Sequence, residues 1–390
     1  MAEPSIRIAT PEDVTILSEN SAWAFGSTAA EIAPWFERIG LENIRLMTEN
    51  KRLLAQMAFV WMGQYVGGRS VPMAGVAAVA VPPDARGYGA GTRIMQAALR
   101  EARAAGMPLS GLYPATQPIY RSVGYEQAGT RWRMKVDAAK IDLKDHALTI
   151  EPIRTSDEPA IADVYRAKAR RHEGHLERNE YMWRKIFKPK GEPPRPYKVM
   201  NGDRIEGYVV LSKQTREGMK ADFNILDMAS LTPAAGRRIL TLFADHKSLA
   251  NEFIWWGGPD DPLQYQLREQ EADIEAFMFW MLRILDVPKA LEMRGWAPGR
   301  SGELHLAVVD ELFPENNGPW LLSVEDGRAQ MTRGGRGSFK TTIRGLAPLY
   351  SGFLSAGVLA SIGWIEAPED EIRMAGALFS GPAPWMPDMY

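Results

Sequence analysis

The chain has 390 residues, 46 basic and 48 acidic side chains, a formal net charge of −2 and no cysteine. Its length calls for two or three domains, and its near-neutral charge offers no global field for nucleic acid or an acidic membrane. Without cysteine there are no disulfides, no zinc–thiolate sites and no cysteine nucleophile, which fits a reducing compartment. Apolar runs at 73–83 and 276–285 are too short to span a bilayer, and the second contains Arg283. The opening residues lack the apolar stretch of a secretory signal, so a cytoplasmic protein with no membrane span is expected.

A strand at 5–8 leads to Thr10, Pro11, Glu12 and Asp13, which read as a helix start: a capping threonine, a first-turn proline and acids at the positive end. Helical spacing continues through Ile16, Ala22 and Phe25, and a second helix is expected over 29–39. Residues 53–61 and 70–81 read as strands around a turn at 63–68, followed by a helix at 89–105 with Ile94, Met95, Ala98 and Leu99 on one face. Strands at 109–113 and 131–136 close this first unit. The order then partly repeats: strand 149–153, a helix opened by Thr155 to Pro159, strands 197–200 and 207–211 around Asn201-Gly202-Asp203, strand 221–231 and helix 233–246. From about residue 288 the composition changes again. A short helix at 289–294 is expected, then strands at 304–309, 320–324, 328–331 and 339–342, then helices at 346–353, 358–362 and 369–378. The tail, 380–390, has prolines and aromatics but no period, and needs something to hold it.

The chemistry concentrates where the strand at 75–81 runs into Arg86, Gly87, Tyr88, Gly89, Ala90 and Gly91 and then into a helix. A strand, a glycine turn and a helix N-terminus make an anion site: free N–H groups point outward, the helix dipole adds positive potential, and glycines let phosphate approach. Arg86 adds a cation. A P-loop would need a lysine that is absent, and the glycine spacing is not that of a dinucleotide fingerprint. The order Arg-x-x-Gly-x-Gly after an apolar strand matches the acetyl-CoA loop of GNAT acyltransferases. The second unit keeps only Thr232, Pro233, Ala234, Ala235 and Gly236 at the corresponding place.

On these residues the chain resembles the Eis (enhanced intracellular survival) family of GNAT N-acetyltransferases. The same resemblance extends to Pro118, Ile119, Tyr120, Arg121, Ser122, Val123, Gly124 and Tyr125, to the stretch 280–295, to 346–352, and to the aromatic last residue. It implies tandem GNAT domains, α/β or α+β with mixed sheets flanked by helices, and a C-terminal α+β domain similar to sterol carrier proteins. The boundaries would be 1–146 (catalytic), 147–287 (degenerate) and 288–390 (supplying the C-terminal carboxylate). Acetyl-CoA would be the cosubstrate, with no metal. Its pyrophosphate would meet residues 86–91 and its pantetheine the edge of Val79, Ala80 and Val81, where a backbone N–H would polarise the thioester. A primary amine, from an aminoglycoside, a polyamine-like molecule or a protein lysine, would attack directly. Tyr125 would be the general acid and the α-carboxylate of Tyr390 the general base; a homo-hexamer is also implied.

Some positions keep two readings. Tyr113 and Tyr120 compete with Tyr125. Trp23, Phe25, Trp35 and Asp388 are candidates for an acceptor pocket, although aromatics at helical spacing also build cores. Val123 stands where the family has an aromatic, and Ser27 and Met389 make the expected pocket less acidic than one built for polycations. The small Ala77, Ala78 and Ala80 leave room for a longer acyl donor. His172 and His175 have a metal-like spacing but no third ligand, and read as a solvated helix face. An alternative class is a lipid- or small-molecule-binding protein with an inactive GNAT domain.

Overall fold

Two sheets organise the chain, which in this computed structural model is described over residues 4–215 and 220–390. The first three residues of the N-terminal stretch read above lie outside the described residues. In chain order the first unit comprises β1 (Ser5–Ile8), α1 (Val14–Phe25), α2 (Ala29–Ile39), β2 (Ile44–Glu49), β3 (Arg52–Val66), β4 (Arg69–Ala80), α3 (Ala90–Ala104), β5 (Leu109–Leu112), α4 (Gln117–Arg121) and β6 (Glu126–Asp137). The second comprises β7 (Thr149–Pro152), α5 (Glu158–Ala169), β8 (Leu176–Glu177), α6 (Glu180–Phe187), β9 (Arg195–Asn201), β10 (Arg204–Thr215), β11 (Ala221–Ser230), α7 (Pro233–Asp245), β12 (Ala250–Gly257) and β13 (Asp273–Ile284). The third comprises α8 (Val287–Met293), β14 (Gly302–Val309), β15 (Gly318–Glu325), β16 (Arg328–Arg333), β17 (Phe339–Thr342), α9 (Ile343–Ser351), α10 (Ala356–Ser361), β18 (Ile365–Glu366) and α11 (Glu369–Phe379).

The first two units share one thirteen-stranded sheet, ordered β1-β2-β3-β4-β5-β13-β6-β12-β11-β10-β9-β7, with β8 added to β3. Each unit lends its last strand to the other. β13 lies antiparallel to β5, β6 lies antiparallel to β12, and β6 and β13 pair along the middle. The expectation that 131–136 closes the first unit is therefore corrected: that strand is longer and crosses to the second. The exchange leaves no local signal in β13, where Trp280, Met281, Leu282 and Ile284 are at most 1% exposed. A strand buried on both faces has no alternation to reveal a partner. β2, β12 and α6 were likewise not anticipated.

In the first unit β4 and β5 run parallel and pair only from Met73 to Gly75 against Leu109 to Gly111. Beyond that point β4 follows β3 and leaves β5, which opens a V. At the same level the β3–β4 register shifts between Gln56 and Ala58, and Ala78 adopts φ 50°. A left-handed alanine costs about 1–2 kcal/mol, and such bulges re-aim a strand at a site.

The third unit forms the sheet β16-β15-β14-β17-β18. Along β14 and β15, Leu304, Leu306, Val308, Trp320, Leu322 and Val324 turn inward and alternate with more exposed residues, the pattern of a sheet covered on one face. Their core is continuous with Val71, Met73 and Leu282 of the large sheet. Arg283 is fully buried and donates to Asp310 at 2.6 Å, tying β13 to the third unit.

The tail returns across the molecule. Thr130 N–H donates to Pro384 O and Met386 N–H to Thr130 O, and Trp385 N–H donates to Glu173 O. Trp385 is 1% exposed and packs edge-on against the stacked rings of His172 and His175. This corrects the expectation of a solvated histidine face: His175 is buried, and desolvation pushes His172 down to about 4, so the pair is neutral packing.

Candidate active site

The turn before α3 has the form that an anion needs. Gly87 and Gly89 adopt φ 85° and 71°, and a Cβ on either would meet nothing within 4 Å, so backbone conformation rather than crowding demands glycine. Gly89 is the N-cap of α3 and offers no side-chain cap, which leaves the first N–H groups for a ligand. Ala90 and Gly91 are buried, and Gly91 packs under Ile119. Tyr88 is 78% exposed, and Arg86 Nε rests on Val81 O at 3.3 Å. An open, uncapped helix start beside an arginine fits a pyrophosphate.

Beside it the V encloses a cavity of about 330 Å³. One wall is β4 from Val76 to Val79; Tyr113, Ala115 and Tyr120 form another; Phe25, Ile32 and Trp35 come from α1 and α2. Tyr181 and Lys185 of α6 close it from the second unit, and Met389 and Tyr390 from the tail. Trp35 Nε1 donates to Tyr181 Oη at 2.9 Å, which joins the two helices across the cavity.

The Tyr390 ring is seated where β4 and β5 part. A Cβ on Gly75 would lie 2.8 Å from its Cε2, and one on Gly111 would lie 2.9 Å from its Oη. These two glycines are paired neighbours on adjacent strands, so their missing side chains form the slot. The hydroxyl is buried with no hydrogen-bond partner, and burial raises its pKa well above the ordinary tyrosine value.

Tyr125 is fully buried. Ser110 Oγ donates to Ala74 O at 2.7 Å and accepts from Tyr125 Oη at 2.6 Å. Desolvation raises the Tyr125 phenol and pushes the neighbouring Tyr120 up to about 12. Tyr120 lies on the cavity wall, edge-on to Tyr125 with ring centres 6.1 Å apart.

The expected pocket residues divide. Phe25 and Trp35 line the cavity, with Val79 at its β4 wall. Trp23 is 74% exposed and does not: two residues along a helix is a turn of about 200°, so Trp23 and Phe25 face apart. Asp388 is buried on the far side of the tail. Its Oδ1 accepts from Arg178 Nε at 2.9 Å, and its Oδ2 accepts from Tyr165 Oη at 3.2 Å. Arg178 also donates to both oxygens of Asp227, at 2.5 and 2.9 Å, and stacks over Tyr165. Burial opposes that guanidinium charge, and the two carboxylates outweigh it. Asp388 thus clamps the tail. Arg178, Tyr181 and Lys185 had not been anticipated; the only local signal was the shared helix face of Tyr181 and Lys185, four residues apart. Lys185 Nζ donates to Met389 O at 2.5 Å. Desolvation pushes its ammonium down to about 8 against the pull of Asp388.

Among the described residues no helix is long and apolar enough to cross a membrane. Residues 5–128 match an acetyltransferase (GNAT) domain family, 174–284 match a second one, and 287–387 match the sterol carrier protein domain. An uncharacterized N-acetyltransferase of Streptomyces griseus is 28% identical over 354 residues, 83% of each chain. The crystal structure of a GCN5-related N-acetyltransferase from Anabaena variabilis is 33% identical and aligns over 100% of both chains with a TM-score of 0.95. Eis1 from Mycobacterium abscessus, 21% identical, shares the fold over 100% of both chains with a TM-score of 0.79. With its tandem GNAT and sterol-carrier-type parts in the Eis-like arrangement, the chain belongs to the GCN5-related N-acetyltransferases.

Proposed function

We propose that this acetyltransferase carries an acetyl group from acetyl-CoA to a primary amine bound in the V, with the C-terminal carboxylate of Tyr390 as general base and Tyr125 as general acid. The observation that carries the reading is the threading of the last residue through the molecule into the slot made by Gly75 and Gly111. Residues 1–146 would be the catalytic domain, 147–287 the supporting one, and 288–390 the one that delivers the base.

Acetyl-CoA supplies an activated thioester. The chain's own groups do the rest. Arg86 and the N–H groups of residues 87–91 hold the pyrophosphate. The edge of Val79, Ala80 and Val81, freed from β5, pairs with the pantetheine and turns an N–H toward the carbonyl oxygen. Aromatic walls at Phe25, Trp35, Tyr120 and Tyr181 confine the amine. An α-carboxyl has an ordinary pKa of about 3.3–3.7, so Tyr390 takes the amine's proton through a water or after partial desolvation. Tyr125 spends its proton on Ser110 in this state, and giving it to the departing thiolate requires the O–H to swing away. Tyr120 is the competing phenol: Tyr125→Phe should cost far more in kcat than Tyr120→Phe, and the reverse order would exchange their roles.

Free-thiol release from acetyl-CoA, measured across aminoglycosides, polyamines and lysine peptides, tests the reading. Release that depends on one amine class names the acceptor. Release independent of every amine would mean hydrolysis and would defeat the direct-attack mechanism.

A further inference from the structure

The active cavity does not end at its aromatic wall. Trp35, Tyr181 and Lys185 also line a second cleft of about 240 Å³, which continues along Arg38, Arg184, Lys188 and Lys190. Among the described residues, no aspartate or glutamate side chain lines either space. The cations arise from α2, α6 and the segment after α6, so two units of the fold converge on one cleft.

The charge is compensated only in part: Asp388 attracts Lys185 and Glu31 attracts Lys190. Arg184 pairs with the exposed Glu180, Lys190 donates to the backbone oxygen of Glu31, and Lys185 donates to that of Met389. Arg38 and Lys188 enter no ion pair among the described residues, and Arg38 Nε is buried without a partner. Gathering like charges in one concave cleft costs stability and focuses a positive field there, most strongly at the half-buried Arg38, since Arg184, Lys185, Lys188 and Lys190 are exposed. The cleft shares no lining residue with the 86–91 loop, so the field is not that of the pyrophosphate site.

We propose that the acceptor is an amine that also carries an anionic group, a carboxylate or a phosphate, held by Arg38 and Lys188 while its amine reaches into the V. This rests on the acetyl-transfer reading above. It also sets the acceptor apart from a polyamine or an aminoglycoside, whose added positive charges would meet the same field and be repelled. The anion meets Arg38 and Lys188 together, and the chain between anion and amine passes the Trp35–Tyr181 contact.

The test uses the full chain with acetyl-CoA. ω-Amino carboxylates and ω-amino alkyl phosphates of graded length are compared with their neutral amides and with the corresponding diamines. The expected result is kcat/KM about tenfold or more above the amide for one anionic series, carried by KM and shrinking with added salt, with diamines poorest. The better series tells carboxylate from phosphate. In Arg38→Gln with Lys188→Gln the preference should collapse toward unity while acetyl-CoA still binds. Amides or diamines that match or exceed the anions would overturn the proposal. Equilibrium binding of N-blocked analogues, followed by tryptophan fluorescence, separates the two readings. Anion binding that weakens in the double variant, with no transfer to any amine, keeps the cleft and sinks the transfer reading. Transfer to neutral amines without any anion binding does the opposite.

Discussion

In the first unit β4 parts from β5 after Gly75 and leaves a cavity of about 330 Å³, whereas in the second β11 parts from β12 after Asn224 and the space beside Pro387 is split into pockets of about 180 and 10 Å³. Both strands carry a register shift at this level, against β3 in one case and β10 in the other. The contents differ. The second opening is occupied by Pro387 of the tail and by Asp227, which is locked to Arg178. The helices differ too. Thr232 caps α7 by accepting from Ala235 N–H, and Gln266 lies against Gly236, whereas Gly89 leaves α3 uncapped. An anion site needs unspent N–H groups; the second unit has spent its own on a threonine. Its strands hold the tail whose last two residues line the first unit's cavity.

The largest effect should come from the point where the two openings are joined. Deleting Tyr390 should lower kcat by about 10²–10⁴-fold with acetyl-CoA binding intact, and Tyr390→Phe, which keeps the carboxylate, should stay active. If Tyr390→Phe is as inactive as the deletion, the phenol rather than the carboxylate is the essential group.

Next is the clamp. Arg178→Met leaves Asp227 and Asp388 buried without their cation and should cost about 3–5 kcal/mol in thermal or denaturant unfolding. Adding Asp227→Asn and Asp388→Asn should recover much of that stability. If the triple variant also recovers turnover, the clamp contributes stability and not the placement of the tail.

Giving the first unit the second unit's cap is a smaller change. Gly89→Thr imposes a β-branched residue at φ 71° and offers α3 its own side-chain cap. It should raise the acetyl-CoA KM by roughly tenfold, since the threonine would take an N–H that the ligand needs and the loop would relax from a conformation strained by about 1–2 kcal/mol. An unchanged KM would remove the loop from the cofactor site.

The mildest effect is a pH dependence at the shared wall. Lys185 is faced by Asp388, Arg131 and Arg38, by the Tyr181 ring and by Met389 O. Its pKa is lowered to about 8, from an ordinary 10.5. Below pH 8 it is charged both folded and unfolded, so the desolvation cost is fully present there. Between 8 and 10.5 the folded protein sheds the proton first, so this cost is relieved as pH rises. The same proton loss removes a positive charge from the cleft, so affinity for a carboxylate lacking an amine should fall as pH rises through about 8, and Lys185→Gln should flatten the profile. A profile unchanged in the variant would assign the titration elsewhere.

Local patterns in the chain carried much of this. Glycines at 87, 89 and 91 between an apolar strand and an amphipathic helix make a helix start open to an anion, and neighbouring residues create it. The alternating strands of the third unit were legible because one face is covered and the other is wet. Trp23 and Phe25 were ambiguous because a helix stripe does not say which neighbour will cover it.

The residues themselves determined that there is a glycine turn at an uncapped helix start, a partly repeated unit and a third, differently built one. Tertiary structure alone decided the exchange of β6 and β13, the slot for Tyr390, the Arg178 clamp on Asp388 and the basic cleft between α2 and α6. Those features join groups far apart along the chain, 210 residues for the clamp and 146 for Trp35 and Tyr181. No local period encodes such contacts, because their partners are chosen by burial and charge compensation only once the whole sheet has closed.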